Sequence, residues 1–522
     1  MRAGQGGLGR GVGVGDGTPE VSVSWSGAWS TGLHPGAALP PPVVQQDYVT
    51  DYTSILSPVS WALEGHPGTS VILTYSFAAA PAGYLGGEYD AAFLATFAAF
   101  TAAERDLARS ALAQWADASG IIFLEDTSGL GDIQFGKYDL GLLGDPNVAG
   151  FAFYPDVSGT GQYAFGGDVF VDTGNDYTPD SDADTLLLLH EIGHALGLKH
   201  PFDPGLVLEP GLDTTDRTVM AYDGPRVTVL GPLDHDAVVH LYGSNADDGV
   251  GLPAYAWDAA TATLSLTGTG TGDLIRGVFG RNVIAGLGGN DTLRGGAGRD
   301  RIEGGDGNDS IYGNGGADTL NGDFGDDHVA GAASAEQMNG GAGNDSLDSG
   351  GGADTMRGDD GDDLLTGNGQ TQALNGGAGN DTLQGAGGRD TLAGGTGDDV
   401  YQYWFYGGKG VIVEAPGGGY DQVLANENFV LAAGAEVERI TALNPLGALT
   451  PIDITGNDFG QLIEGNRYAN RLDGLGGNDT IRSFGGGSTL YGADELRGGD
   501  GNDSLVGGDG IDRFDGGAGA DT

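Results

Sequence analysis

The stretch His190-Glu191-Ile192-Gly193-His194 sets two imidazoles four residues apart, with a carboxylate beside the first. On a helix, positions i and i+4 share a face, so both rings can close on a single ion. Gly197 lets the chain leave that helix sharply, and His200 then returns as a third nitrogen donor. Three protein ligands leave one position open for water or substrate, which is what a catalytic zinc ion requires. Glu191 is placed to reach a water on that ion and act as a general base. The chain has no cysteine, so any metal must rest on histidine and carboxylate.

These residues need a helix and a packed scaffold. Ser181 and Asp182 offer a helix cap, and the apolar run Leu186 to Leu189 predicts a buried helix continuing to Leu196. A second helix is expected over 102–118, where Leu107, Ala111, Leu112 and Trp115 recur at helical spacing, and a third over 233–242. Strands are expected at 71–77, 121–124, 132–135, 150–154 and 168–172. Strands interspersed with helices predict a mixed α/β domain.

Beyond Gly268 the chain acquires a nine-residue period and keeps it to Gln402, fifteen units without insertion. The eighth position of every unit is apolar or aromatic, from Ile275 and Ile284 through Leu392 to Tyr401. A disordered chain would not hold that register. Between 403 and 455 the period stops, and apolar runs near 411–413 and 437–440 suggest ordinary strands. The units resume at Gly456 and break register once, at 492–497, as though one unit lacked three residues. The last unit begins at Gly516 and is incomplete at Thr522, so a fragment or a truncated sequence is expected.

The elongated histidine motif, followed by Thr218-Val219-Met220-Ala221-Tyr222, resembles the metzincin metalloproteases and their Met-turn. Pro201 after the third histidine, Leu233-Asp234 and Leu241-Tyr242-Gly243 resemble serralysins in particular. The likeness covers roughly 71–245; residues 202–217 depart from it, and a reshaped primed side of the cleft is expected there. The resemblance implies zinc on His190, His194 and His200, with Met220 as a hydrophobic base beneath it. It further implies that Tyr222 ligates the resting zinc, then swings away to stabilise the oxyanion. The substrate would be an extended polypeptide paired on an edge strand near 150–154.

The nonapeptide Gly-Gly-x-Gly-x-Asp-x-U-x resembles the RTX parallel β-roll, in which glycines turn the chain and aspartates hold calcium. In that family two units make one coil, so aspartates eighteen apart stack along an edge. One rail then reads Asp273, Asp291, Asp309, Asp327, Asp345, Asp363, Asp381 and Asp399. The other reads Asn282, Asp300, Asp318, Glu336, Asp354, Gln372 and Asp390, and its units at Glu336 and Gln372 also lose a glycine, to Ser334 and Gln370. A continuous file of calcium is expected on the first rail and a gapped one on the second. Asp479, Asp503 and Asp512 are further calcium candidates in the resumed repeats. The RTX resemblance also implies export by a type I secretion apparatus and a secreted, extracellular product.

Composition agrees. The net charge is −51, which disfavours nucleic acid as a partner and suits many sites for a hard cation. No apolar run is long enough to span a membrane as a helix, and the first residues lack the order of a secretory signal peptide. The expected organisation is a flexible leader or propeptide at 1–46, a zinc protease domain at 47–245 and a connector at 246–267. A β-roll at 268–402, a β-rich spacer at 403–455 and a second repeat block at 456–522 follow. The expected function is a monomeric, secreted zinc endopeptidase. A calcium-dependent adhesin or surface-layer protein with a vestigial zinc site is the alternative, and a lytic toxin lacks any membrane-inserting segment to support it.

Overall fold

A computed structural model describes residues 48–522, apart from 63–66, 82–84, 86–88, 130, 144–147, 156–166, 176, 179–180, 204, 210, 245–252, 404–409, 444–449, 485–491 and 509. The expected leader lies outside the described residues, as does the first part of the expected connector. The described residues fall into two compact units, divided around residues 253–281.

The first unit is built on a five-stranded sheet. Its strands are β1 (Val71–Phe77), β2 (Ile121–Glu125), β3 (Ile133–Tyr138), β4 (Gly150–Ala152) and β5 (Val169–Asp172). They lie in the order β2-β1-β3-β5-β4. All pairs are parallel except the last, where β4 runs antiparallel to β5 with Phe151 opposite Phe170. β4 is therefore an edge strand.

Helix α1 (Ala102–Ala118) starts at a capping box, in which Thr101 and Glu104 satisfy each other's backbone N–H. Glu104 is buried and also accepts from Lys137 on β3 at 2.7 Å, so the helix start is tied to the sheet. The apolar face of α1, including Leu107, Ala111, Leu112 and Trp115, is buried. Helix α2 (Asp182–Ala195) is capped by Ser181 and buried all round from Leu186 to Ala195, as befits a core helix rather than a surface one. Two indoles hold it: Trp115 Nε1 donates to the Leu189 carbonyl at 3.2 Å, and Trp61 Nε1 to the Ala195 carbonyl at 2.8 Å. Helix α3 (Pro232–Tyr242) completes the unit.

Helix α2 ends where Gly197 takes φ +92°, a left-handed conformation, and Leu198 N–H donates back to the Gly193 carbonyl at 2.9 Å. A side chain at 197 would also run into the Val59 carbonyl. Replacing Gly197 by Ala should therefore lower the stability of this unit by about 1–3 kcal/mol. A denaturation midpoint followed by tryptophan fluorescence reads this; an unchanged midpoint would contradict it.

The second unit is a parallel β-solenoid. A thirteen-stranded sheet forms one face, and sheets of ten and five strands form others. Successive strands of a face stack in register: Ile275 opposes Leu293, Leu293 opposes Ile311, and the series continues to Tyr401. The apolar eighth positions thus fill a narrow core, where almost all are fully buried. The irregular interval does not interrupt the large sheet. Tyr401 opposes Val423, Val423 opposes Ile440, and Ile440 opposes Ile463, with coils that lengthen to 22, shorten to 17 and lengthen to 23 residues. At 492–497, where a unit lacking three residues is expected, the coil has 24 residues: Glu495 stacks on Arg471 and Asp503 on Asp479.

Candidate metal centres

Helix α2 and the turn at Gly197 bring three imidazoles together. His190 Nε2 lies 3.3 Å and His194 Nε2 3.2 Å from His200 Nε2, and all three residues are buried. The opposite nitrogens are engaged. His190 Nδ1 donates to the Val219 carbonyl at 2.7 Å, His194 Nδ1 donates to the Leu198 carbonyl at 2.7 Å, and His200 Nδ1 lies 3.3 Å from Asp203 Oδ2. With the protons held on Nδ1, the Nε2 lone pairs face one another, an arrangement that a shared cation stabilises. Ligands about 2.0–2.1 Å from a tetrahedral zinc ion sit about 3.3 Å apart, so the observed spacing fits zinc. Burial, followed by the neighbouring His200, pushes His190 down to about 3. Burial also sends His194 well below its usual range, so both rings stay neutral, as ligands must.

Around these nitrogens the structure places the other expected residues. Tyr222 Oη lies 2.7 Å from His200 Nε2. Met220 is fully buried beneath the helix, its sulfur so close to the Gly193 α-carbon that a larger residue at 193 would displace it. Glu191 is buried, and its side chain packs against β4, where a methyl group added to Gly150 would lie 3.0 Å from Glu191 Oε1. Gly150, which sequence reasoning missed, leaves the space that this carboxylate fills. Phe202 stacks on His200, with centroids 5.0 Å apart and planes 5° apart, and forms a half-exposed wall beside it. His240 is engaged elsewhere, 3.3 Å from Tyr52 Oη.

A further residue acts through the turn. Asp234, fully buried on α3, accepts from Thr218 Oγ1 at 2.6 Å and from Val219 N–H at 2.9 Å. Val219 in turn holds His190. Asp234→Ala should strand both donors and weaken zinc binding about 10–100-fold, measured by competition with a chromophoric chelator. Unchanged affinity would show that the turn holds without the carboxylate.

In the solenoid the rail aspartates share one geometry. The Oδ1 of each accepts the backbone N–H of the rail residue one coil earlier: Asp273 to Asp291 at 2.7 Å, Asp291 to Asp309 at 2.7 Å, and so on to Asp381 and Asp399 at 2.8 Å. The Oδ2 atoms of Asp291, Asp309, Asp327, Asp345, Asp363, Asp381 and Asp399 are buried without a hydrogen-bond partner, and so are those of Asp300, Asp318, Asp390, Asp479 and Asp503. Buried acceptors left open in this way are costly unless a cation completes them. Burial is the leading cause that raises Asp318 to about 8 and Asp300, Asp327, Asp345 and Asp381 to about 7.

Not every candidate has an open oxygen. Asp273 Oδ2 accepts from Thr269 N–H at 2.6 Å, and Asp354 Oδ2 accepts from Asn368 Nδ2 at 3.2 Å, so an amide stands where a cation would. Asp512 is only partly buried, and its Oδ1 accepts from Asp494 N–H at 3.0 Å. Asp494 itself was missed. It lies on the second rail, accepting from Asn470 N–H at 2.7 Å with Oδ2 buried and unpartnered. Its signal was the Asp494-Glu495-Leu496 triplet, obscured by the irregular coil.

With the geometry in view, comparison with known proteins is informative. The matrixin family model matches residues 95–242. The RTX calcium-binding nonapeptide repeat model matches 267–302, 294–329, 331–365, 366–401, 455–490 and 488–522. Metallopeptidase AprA of Pseudomonas marginalis is 31% identical over 205 residues, covering 34% of this chain and 42% of that protein. Serralysin G of Dickeya chrysanthemi is 30% identical over 243 residues (40% and 48%), and serralysin of Proteus mirabilis 31% over 210 residues (33% and 41%). The chain spans less than half the length of these curated relatives in the matched region. Fold, site and family models together define a matrixin-type zinc domain joined to an RTX calcium-binding β-solenoid. Over the matched residues the chain is similar to serralysin-type metalloproteases.

Proposed function

We propose that this protein is a secreted zinc endopeptidase that cleaves extended polypeptides outside the cell, its solenoid folding as calcium binds. The observation that carries the reading is the convergence of three Nε2 atoms whose Nδ1 partners are fixed. His190, His194 and His200 would hold zinc, which when bound lowers the pKa of its water and polarises the scissile carbonyl. Glu191 takes the proton from the attacking water and returns it to the leaving amine. Tyr222 donates its phenolic hydrogen to the developing oxyanion. The free edge of β4 pairs with the substrate backbone as an added strand, bringing the peptide past Glu191.

Release by a type I apparatus agrees with the RTX repeats, and among the described residues no helix is long and apolar enough to cross a membrane. A site formed within one chain is compatible with monomeric action. Casein cleavage in the presence of calcium tests the function. Activity should vanish with a zinc-selective chelator and return with added zinc. Cleavage that persists without zinc, or no cleavage by the zinc-loaded protein, would favour the adhesin reading.

A further inference from the structure

The interval between the two repeat blocks carries an acidic cluster that no nonapeptide supplies. One carboxylate oxygen each from Asp399, Glu414 and Asp421 lies within 4.8 Å of the others, and all three residues are buried. Asp399 closes the last regular unit, whereas Glu414 and Asp421 lie outside the residues matched by the repeat model. Asp421 continues the first rail across the irregular coil, its Oδ1 accepting from Asp399 N–H at 2.9 Å.

Three further features mark this cluster as built. Asp399 is 1% exposed, yet its Oδ2 has no hydrogen-bond partner. That oxygen crowds the Gly394 α-carbon together with the hydroxyl of Tyr401, which donates to Glu414 Oε2. Tyr401, the one aromatic among the fifteen eighth positions, is thus in place to hold Glu414 beside Asp399; its oxygen accepts from Gly394 N–H at 2.6 Å. Ala415 N–H fixes the other oxygen of Glu414 at 3.0 Å. Among the described residues, no lysine or arginine ion pair joins any of the three carboxylates.

We infer that Asp399, Glu414 and Asp421 bind a calcium ion that joins the last regular coil of the first repeat block to the irregular coil after it. An all-oxygen, carboxylate-rich donor set selects a hard cation, and the spacing suits ligands about 2.3–2.6 Å from calcium. The ion offsets two of the three negative charges that otherwise repel one another in a dry core. It extends the first rail through the interval, where the nonapeptide pattern is lost.

Anomalous diffraction at a long wavelength, from crystals of the full chain grown in calcium chloride, tests this directly. A peak is expected among Asp399, Glu414 and Asp421. Peaks along the regular repeats with none here would overturn the site alone, and no peaks anywhere would overturn the calcium reading of the whole roll. In solution, Glu414→Gln keeps the size of the side chain and one acceptor oxygen while removing its charge. Metal analysis after equilibrium dialysis should find one calcium fewer per chain than in the wild type. An equal count in Glu414→Gln would overturn the assignment. Should that variant fail to fold, the wild-type map still decides.

Discussion

Replacing Glu191 by Gln should reduce kcat/KM for peptide cleavage by about 10²–10⁴-fold, with one zinc still bound per chain. The three imidazoles take their orientation from the Val219 and Leu198 carbonyls and from Asp203, none of which involves Glu191. Glutamine has nearly the same shape and would occupy the space left by Gly150, so packing of the buried side chain against β4 should survive. What it lacks is a basic oxygen to take the proton of the attacking water. Steady-state kinetics with a quenched peptide, together with zinc analysis of the same sample, check this. Turnover at the wild-type rate would remove Glu191 from the mechanism, and loss of zinc would show that its role is to position the site.

Calcium withdrawal should have the second large effect, unfolding the solenoid as a unit. Each ion present at a hundredfold excess over its Kd stabilises the fold by about 2.7 kcal/mol, so a few sites outweigh the 5–15 kcal/mol typical of a folded domain. In a calcium-selective chelator the far-ultraviolet signal of β structure should fall sharply. The residual structure should also depend on pH. Burial raises the folded carboxyls far above the unfolded value of about 3.9, to about 7 for Asp300, Asp327, Asp345, Asp381 and Asp479 and about 8 for Asp318. The calcium-free fold therefore binds more protons than the unfolded chain, and it loses stability as pH rises from about 4 through 8. Calcium needs those same groups ionised, so the calcium midpoint for folding should fall over that range. Circular dichroism at pH 5 and pH 8, with and without calcium, reads both trends. A chelated roll more stable at pH 8 than at pH 5 would contradict this account.

What could be read from the sequence was what local periodicity encodes. Helical spacing alone puts His190 and His194 on one face, and a nine-residue period alone stacks Ile275 on Leu293. The capping residues Thr101 and Ser181 stand immediately before the helices they start. Contacts between distant segments left no such mark. Nothing near Gly150 indicates that Glu191 packs against it, and nothing in Asp234 shows that it holds the turn beneath the zinc ligands. In the solenoid, rail positions followed the period wherever coils have eighteen residues. Where coils swell to 22 or 24 residues, Asp421 and Asp494 return to the rails at sites that counting by nine does not reach. Whether a rail carboxylate keeps an open oxygen also depends on neighbours such as Thr269 and Asn368, which the repeat formula does not specify.

The most direct measurement is the zinc content of the full chain, purified and folded with calcium, beside that of a His194→Ala variant. Three lone pairs aimed at one point predict a single tightly held zinc ion per chain, lost from the variant while the calcium-loaded solenoid remains folded. A wild-type protein that is fully folded yet binds no stoichiometric zinc would contradict the account.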